Sequence, residues 1–281
     1  MQDPLSSAVQ FKKSVMRSLR ESAGEGPFFP EGAPRSPDDS AVLCLLSRDR
    51  NSPFSLPCLV FNKRSSKVKQ AGDLCFPGGR ISPRLDAFLS HLLRLPFFPL
   101  ARWGDWSLWR RKGLNEAGCL SLLLATSLRE SLEEMRLNPL GVSFLGPLPP
   151  QNLRIFGRVI YPMVGWINRQ KHFLLNWEVE SVLYVPLRDL LQPENYRCYR
   201  VTYEVSPDHR NYGKTQDFLS YLHQGSAEKE VLWGVTFRIA MELLRTIFGF
   251  APPALETLPV IHRRLDRDYV NGGRQYNRKE G

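Results

Sequence analysis

Apolar and polar positions along the chain alternate between two periods. Residues 8–22 place Val9, Phe11, Val15, Met16 and Leu19 at helical spacing, which predicts an amphipathic, basic helix. Residues 23–40 are rich in Gly, Pro, Ser and Asp and predict a loop. Two apolar runs at 41–46 and 55–61, with turn residues at 49–53 between them, predict a β-hairpin. A polar basic segment at 63–69 leads to Gly72, a short strand-like 74–76, and Pro77-Gly78-Gly79-Arg80. A helix is expected at 120–137, stopped by Pro139 and Gly141. Strands are expected at 142–145, 156–167 and 182–185, with a short helix from Leu187. A long amphipathic helix is expected at 227–248, ended by Gly249 and Pro252. From Pro259 onward the chain is polar and basic and reads as a mobile tail. Strands interspersed with a few helices make the fold class α/β (α+β).

Composition narrows the picture. With 42% apolar and 23% charged residues, the 281-residue chain can build a core. No apolar stretch is long enough for a membrane span, and no charged-then-apolar leader opens the sequence. The expected location is the cytoplasm, with the mitochondrial matrix as the alternative, because the first helix is basic. The net charge of +10 favours anionic ligands such as phosphates. Nucleic acid is set aside as a partner, since no recognised motif for it is present. The five cysteines, at 44, 58, 75, 119 and 198, show no paired spacing and read as reduced, mostly buried thiols.

Residues 82–118 interleave Trp103, Trp106 and Trp109 with Arg102, Arg110, Arg111 and Lys112. They read either as a helical hairpin docking its aromatics on the domain, or as a lid whose Trp and Arg grip a substrate.

The chemistry gathers at 129–134, Arg-Glu-Ser-Leu-Glu-Glu. On a helix, Glu130, Glu133 and Glu134 share one face within about one turn. Three carboxylates so close repel unless a cation intervenes, and hard divalent ions prefer such oxygens. The other reading is a solvated charged face screened by Arg129 and Arg136. Upstream, the Gly78-Gly79 turn lets backbone approach a ligand closely.

Together, Gly79, Arg129, Glu130, Glu133 and Glu134 resemble the box of the Nudix hydrolases, and more narrowly its coenzyme A diphosphatase-like branch. Arg64-Ser65, Lys69, Gly72 and Phe76-Pro77-Gly78-Gly79 are similar to the segment that precedes the box in that branch. Gly146-Pro147-Leu148, Pro162-Met163-Val164-Gly165, Asn176-Trp177-Glu178-Val179, Val185-Pro186-Leu187 and Trp233-Gly234 follow in the branch's order. There are departures. Arg129 follows Gly79 by 50 residues where the box has 14, an excess of 36. Ser131 replaces an apolar residue, and Arg136 stands for the closing glycine. The box's first glutamate has no counterpart in register; Asp86 and Glu116 are both displaced.

The resemblance implies a Nudix-type α/β/α sandwich with a mixed sheet and an insertion inside the box. The expected division is a helix and loop at 1–40, a hydrolase domain at 41–250 with its insertion at about 83–118, and a basic tail at 251–281. The implied reaction is hydrolysis of the diphosphate of coenzyme A or a derivative, a small-molecule substrate, to 3′,5′-ADP and (acyl-)phosphopantetheine. Alternatives are another nucleoside diphosphate derivative or a non-catalytic nucleotide sensor. Mg²⁺ or Mn²⁺ would sit on Gly79, Glu130, Glu133 and Glu134. Arg129, Glu133 and Glu134 would be catalytic, with Glu178, Glu204 and Asp208 as further candidate bases. Arg64, Lys69 and Arg80, with Lys67, would meet substrate phosphates.

Overall fold

The computed structural model describes residues 7–34, 36, 38–48, 56–153, 158–204, 212–225, 229–266 and 269. The first helix, α1 (Ala8–Ala23), is followed by strands β1 (Ser40–Arg48), β2 (Pro57–Arg64), β3 (Leu74–Cys75) and β4 (Gly78–Arg80). Three helices come next: α2 (Pro83–Leu92), α3 (Trp106–Arg111) and α4 (Leu114–Met135). Strands β5 (Val142–Pro147), β6 (Gln151–Leu153), β7 (Arg158–Ile167) and β8 (Val179–Pro186) lead to α5 (Leu187–Leu190). The chain ends with β9 (Tyr196–Tyr203), β10 (Thr215–Gln224), β11 (Lys229–Leu232), α6 (Gly234–Phe248) and β12 (Val260–Leu265).

The main sheet is mixed and runs β3-β2-β1-β7-β5, with β4 on β1, β6 on β7 and β8 on β2. Strands β1 and β7 are parallel at its centre, and β2 is antiparallel to β1. Strand β1 is buried on both faces, which is why it reads as an unbroken apolar run. Its side chains still alternate. Leu43 and Leu45 join Leu120, Leu123 and Leu124 of α4, while Cys44 and Leu46 join the core formed with α1 and α6. Helices therefore cover both faces of the sheet, and the fold is mixed α/β. Among the described residues, no helix is long and apolar enough to cross a membrane.

Helix α1 buries Phe11, Val15, Leu19 and Ala23, and Phe11 packs against Trp166 and Phe248. In the Trp-rich segment, Trp103 and Trp109 are buried. The Trp103 ring meets Phe144 at 4.6 Å, and its indole N–H donates to the Leu145 carbonyl at 3.2 Å. Trp109 packs against Phe28 and Phe29. Arg102 donates to the carbonyls of Leu140 and Val142, and Lys112 to those of Ala23 and Gly26. The two buried tryptophans and these cations are committed to packing and to carbonyl oxygens.

Three expectations need correction. The helix expected at 227–248 begins only at Gly234, where a positive φ of 66° turns the chain out of strand β11. Strands β9 to β12 form a second sheet, in the order β11-β10-β9-β12, that the apolar pattern does not reveal. The supposed tail contributes β12, paired in parallel with β9, and Leu265 packs on Tyr199 and Val201.

Candidate active site

Two elements converge to make the site. Strand β4 lies antiparallel on β1, with Gly78 opposite Val42 and Gly79 opposite Ala41. The second element is the last two turns of α4, which carry Arg129 to Glu134. They meet so closely that a Cβ on Gly79 would lie 2.4 Å from the Glu130 carboxyl carbon. A side chain at 79 would therefore have to displace the Glu130 carboxylate.

Arg129 is the hub of the cluster. Its Nε and Nη2 donate to the two oxygens of Asp86 at 2.7 and 3.2 Å. Its Nη1 donates to Glu130 at 2.9 Å and to Glu133 at 3.2 Å, and Nη2 also reaches the Arg80 carbonyl at 3.0 Å. Asp86, on α2, is fully buried. It also accepts the Thr126 hydroxyl at 2.8 Å and the Ser82 N–H at 2.7 Å, at the start of its own helix. A buried carboxylate with this many donors, and a bidentate arginine among them, is satisfied without water. It fixes the arginine, which in turn fixes two glutamates. Asp86 is the member of this cluster that the spacing rule sets aside. The box calls for its first acid six residues after Gly79, where Leu85 stands, and Asp86 is one position later. The available signal is an acid in the first turn of a proline-started helix directly after the glycine turn.

Glu134 lies on the other side. Asn62 Nδ2 donates to it at 2.8 Å and the Gly78 N–H at 3.4 Å. Burial pushes its carboxyl up to about 7 against these two hydrogen bonds, with the charges of Glu130 and Glu178 adding to the rise. Burial also raises Glu130, opposed by Arg129 and reinforced by Glu133 and Asp86. The Glu133 side chain is 53% exposed and pairs with Arg129.

The structure thus brings together Gly79, Arg129, Glu130, Glu133 and Glu134, and adds Asp86 and Asn62. Among the described residues, no three acidic, imidazole or thiol side chains are drawn into one set of ion ligands, and both Glu130 and Glu133 accept from Arg129. The donor chemistry still fits a hard divalent cation. Two partly buried carboxylates are lifted by desolvation, and Asn62 Oδ1 is buried without a hydrogen-bond partner beside Glu134.

The expected phosphate contacts lie on the adjoining chain. Arg64 ends β2, and its Nε donates to the Lys69 carbonyl at 2.8 Å. Lys67 and Lys69 lie on the loop that follows. Arg80 is exposed and ion-paired with Asp38 at 3.0 Å, so its charge is engaged outside the carboxylate cluster. Of the further candidate bases, Glu178 acts electrostatically on Glu134, and its carbonyl accepts the Ser65 N–H at 2.8 Å. Glu204 pairs with Arg264 in the second sheet at 3.7 Å. Asp208 lies outside the described residues. Glu116, the other displaced acid, instead accepts the N–H groups of Phe28 and Phe29.

No family model matches the chain. Over 189 residues it is 28% identical to the uncharacterized Nudix hydrolase NudL of Citrobacter koseri, covering 66% of this chain and 73% of that protein. Among solved structures, a MutT/nudix family protein from Enterococcus faecalis aligns at 11% identity, with 86% and 75% of the two chains covered and a TM-score of 0.39. The Nudix hydrolase RenU from M. smegmatis aligns at 11% identity, with 55% and 73% covered and a TM-score of 0.36.

Proposed function

We propose that this chain is a Nudix-type hydrolase of a diphosphate bond, and that it cleaves coenzyme A or a coenzyme A derivative. The products are 3′,5′-ADP and phosphopantetheine or its acyl form. One observation carries the substrate assignment. The segment from Arg64 to Gly79, which resembles that branch, is one continuous path in the structure, from the end of β2 through β3 to the glycine turn. It sets Arg64, Lys67 and Lys69 on the chain that leads into the carboxylate cluster, as a substrate with several phosphates requires.

Glu130 and Glu134, with the Gly79 carbonyl and Glu133, would hold Mg²⁺ or Mn²⁺. When bound, such an ion neutralises diphosphate charge and makes a water more acidic. The chain's own residues do the rest. Asp86 fixes Arg129, and Arg129 fixes Glu130 and orients Glu133. Asn62 holds Glu134. Water adds to phosphorus, its proton passes to Glu133 or Glu134, and the anhydride P–O bond breaks with its electron pair leaving on the departing phosphate. The basic loop binds the substrate phosphates.

The test is incubation with coenzyme A, NADH, ADP-ribose and dATP in Mg²⁺ or Mn²⁺, with products identified by mass. Formation of 3′,5′-ADP from coenzyme A supports the assignment. Cleavage confined to another substrate moves it to that nucleotide class. Binding without turnover of any of them supports a sensor.

A further inference from the structure

The second sheet ends beside the basic loop and grips it. Beyond β12, the Tyr269 hydroxyl donates to Asp73, and the Tyr269 carbonyl accepts the Gln70 N–H at 2.7 Å. Asp73 also accepts the Trp233 indole N–H at 3.2 Å. These two positions form the base of the loop that carries Lys67 and Lys69. The Arg64 N–H donates to the Asp73 carbonyl at 3.0 Å, and the Gly72 N–H donates back to the Arg64 carbonyl at 2.9 Å. Gln70 itself sits at φ 58°, a left-handed conformation that a residue with a side chain adopts only when its surroundings impose it. Its N–H is directed at Tyr269. The tyrosine ring in turn packs with the aromatic cluster of Tyr199, Phe218 and Trp233, which anchors it on the sheet.

We infer that Tyr269 is a positioning residue. Tyr269 acts as a strap that holds the Arg64–Asp73 loop, and so Lys67 and Lys69, in the geometry that receives substrate phosphates. This inference deepens the coenzyme A assignment and rests on it for the substrate. The strap itself is a property of the fold and is tested separately.

Two full-length variants decide it. Tyr269→Ala removes the hydroxyl and the ring that seats it, and Tyr269→Phe removes the hydroxyl alone. Cleavage by trypsin after Lys67 and Lys69 reports the open population of the loop. Tyr269→Phe is expected to speed it about tenfold, the factor carried by one hydrogen bond to a charged acceptor. Tyr269→Ala, which also loses the ring packing, is expected to speed it by more. For coenzyme A, KM should rise in the same order while kcat stays within about twofold, because the loop binds substrate and does no chemistry. Wild-type cleavage rates in a folded Tyr269→Ala protein would overturn the strap. So would faster cleavage with an unchanged KM for a substrate that is turned over. If Tyr269→Ala does not fold, Tyr269→Phe decides by the same two measurements. If coenzyme A is not a substrate, the proteolysis result still decides the strap, so the two failures are distinct.

Discussion

Replacing Glu134 with glutamine should make the metal-free protein more stable at alkaline pH and remove part of its pH dependence. Burial lifts this carboxyl from 4.5 to about 7. The folded protein therefore holds a proton that the unfolded chain has released between those two values. In that window the folded state binds more protons, so wild-type stability falls as pH rises from about 4.5 to about 7, then levels. A tenfold change in proton affinity corresponds to about 1.4 kcal/mol, so the charge costs about 3 kcal/mol above pH 7. Glutamine carries no charge and still accepts from Asn62, but the weaker Gly78 N–H contact loses its acceptor, at about 1 kcal/mol. The net gain at pH 8 is about 2 kcal/mol, or roughly 4–8 °C in Tm for a chain of this size. Thermal and urea melts in chelator at pH 5 and pH 8 measure it. At pH 5 the two proteins should be nearly equal. A Glu134→Gln protein no more stable than wild type at pH 8 would refute the claim that this carboxylate is held at a cost.

Other outcomes follow from the same geometry. Gly79→Ala places a methyl group on the Glu130 carboxylate, and should abolish stabilisation by Mn²⁺ in a thermal melt while the far-ultraviolet circular dichroism stays that of the wild type. Asp86→Ala leaves Arg129 without its buried partner, and should cost about 3–5 kcal/mol in urea unfolding as well as activity. Trp103→Ala opens a cavity under β5 and should cost about 3–5 kcal/mol without changing the ratio of rates between substrates. A changed substrate ratio at wild-type stability would restore the lid reading of the insertion.

The parts legible in the sequence are those where one period dominates. Strands β1 and β2 are buried on both faces and announce themselves as apolar runs. Helix α4 carries Glu130, Glu133 and Glu134 at helical spacing, and Gly79 marks the turn that meets them. The second sheet is hidden because its strands bury few residues each. Strand β9 interrupts Tyr196, Cys198, Tyr199 and Val201 with arginines, and β12 buries only Leu265. Strand β11 merges in the pattern with the helix that follows, because Val231 and Leu232 extend its apolar stripe. Only the left-handed turn at Gly234 separates the two. Asp86 escapes for a different reason. Its role depends on where α2 lies against α4, and a spacing rule written for a shorter connection does not carry that information. The Trp103 and Trp109 rings can be read as packing or as ligand contacts, and only their partners decide between the two.

Turnover in the glutamine variants of the paired acids tests most directly whether the turn of α4 on Gly79 is the hydrolytic centre. Metal-dependent cleavage of a diphosphate substrate by wild type, Glu133→Gln and Glu134→Gln should be measured on proteins shown to be folded. Each substitution should abolish turnover. Wild-type rates in both variants would contradict it.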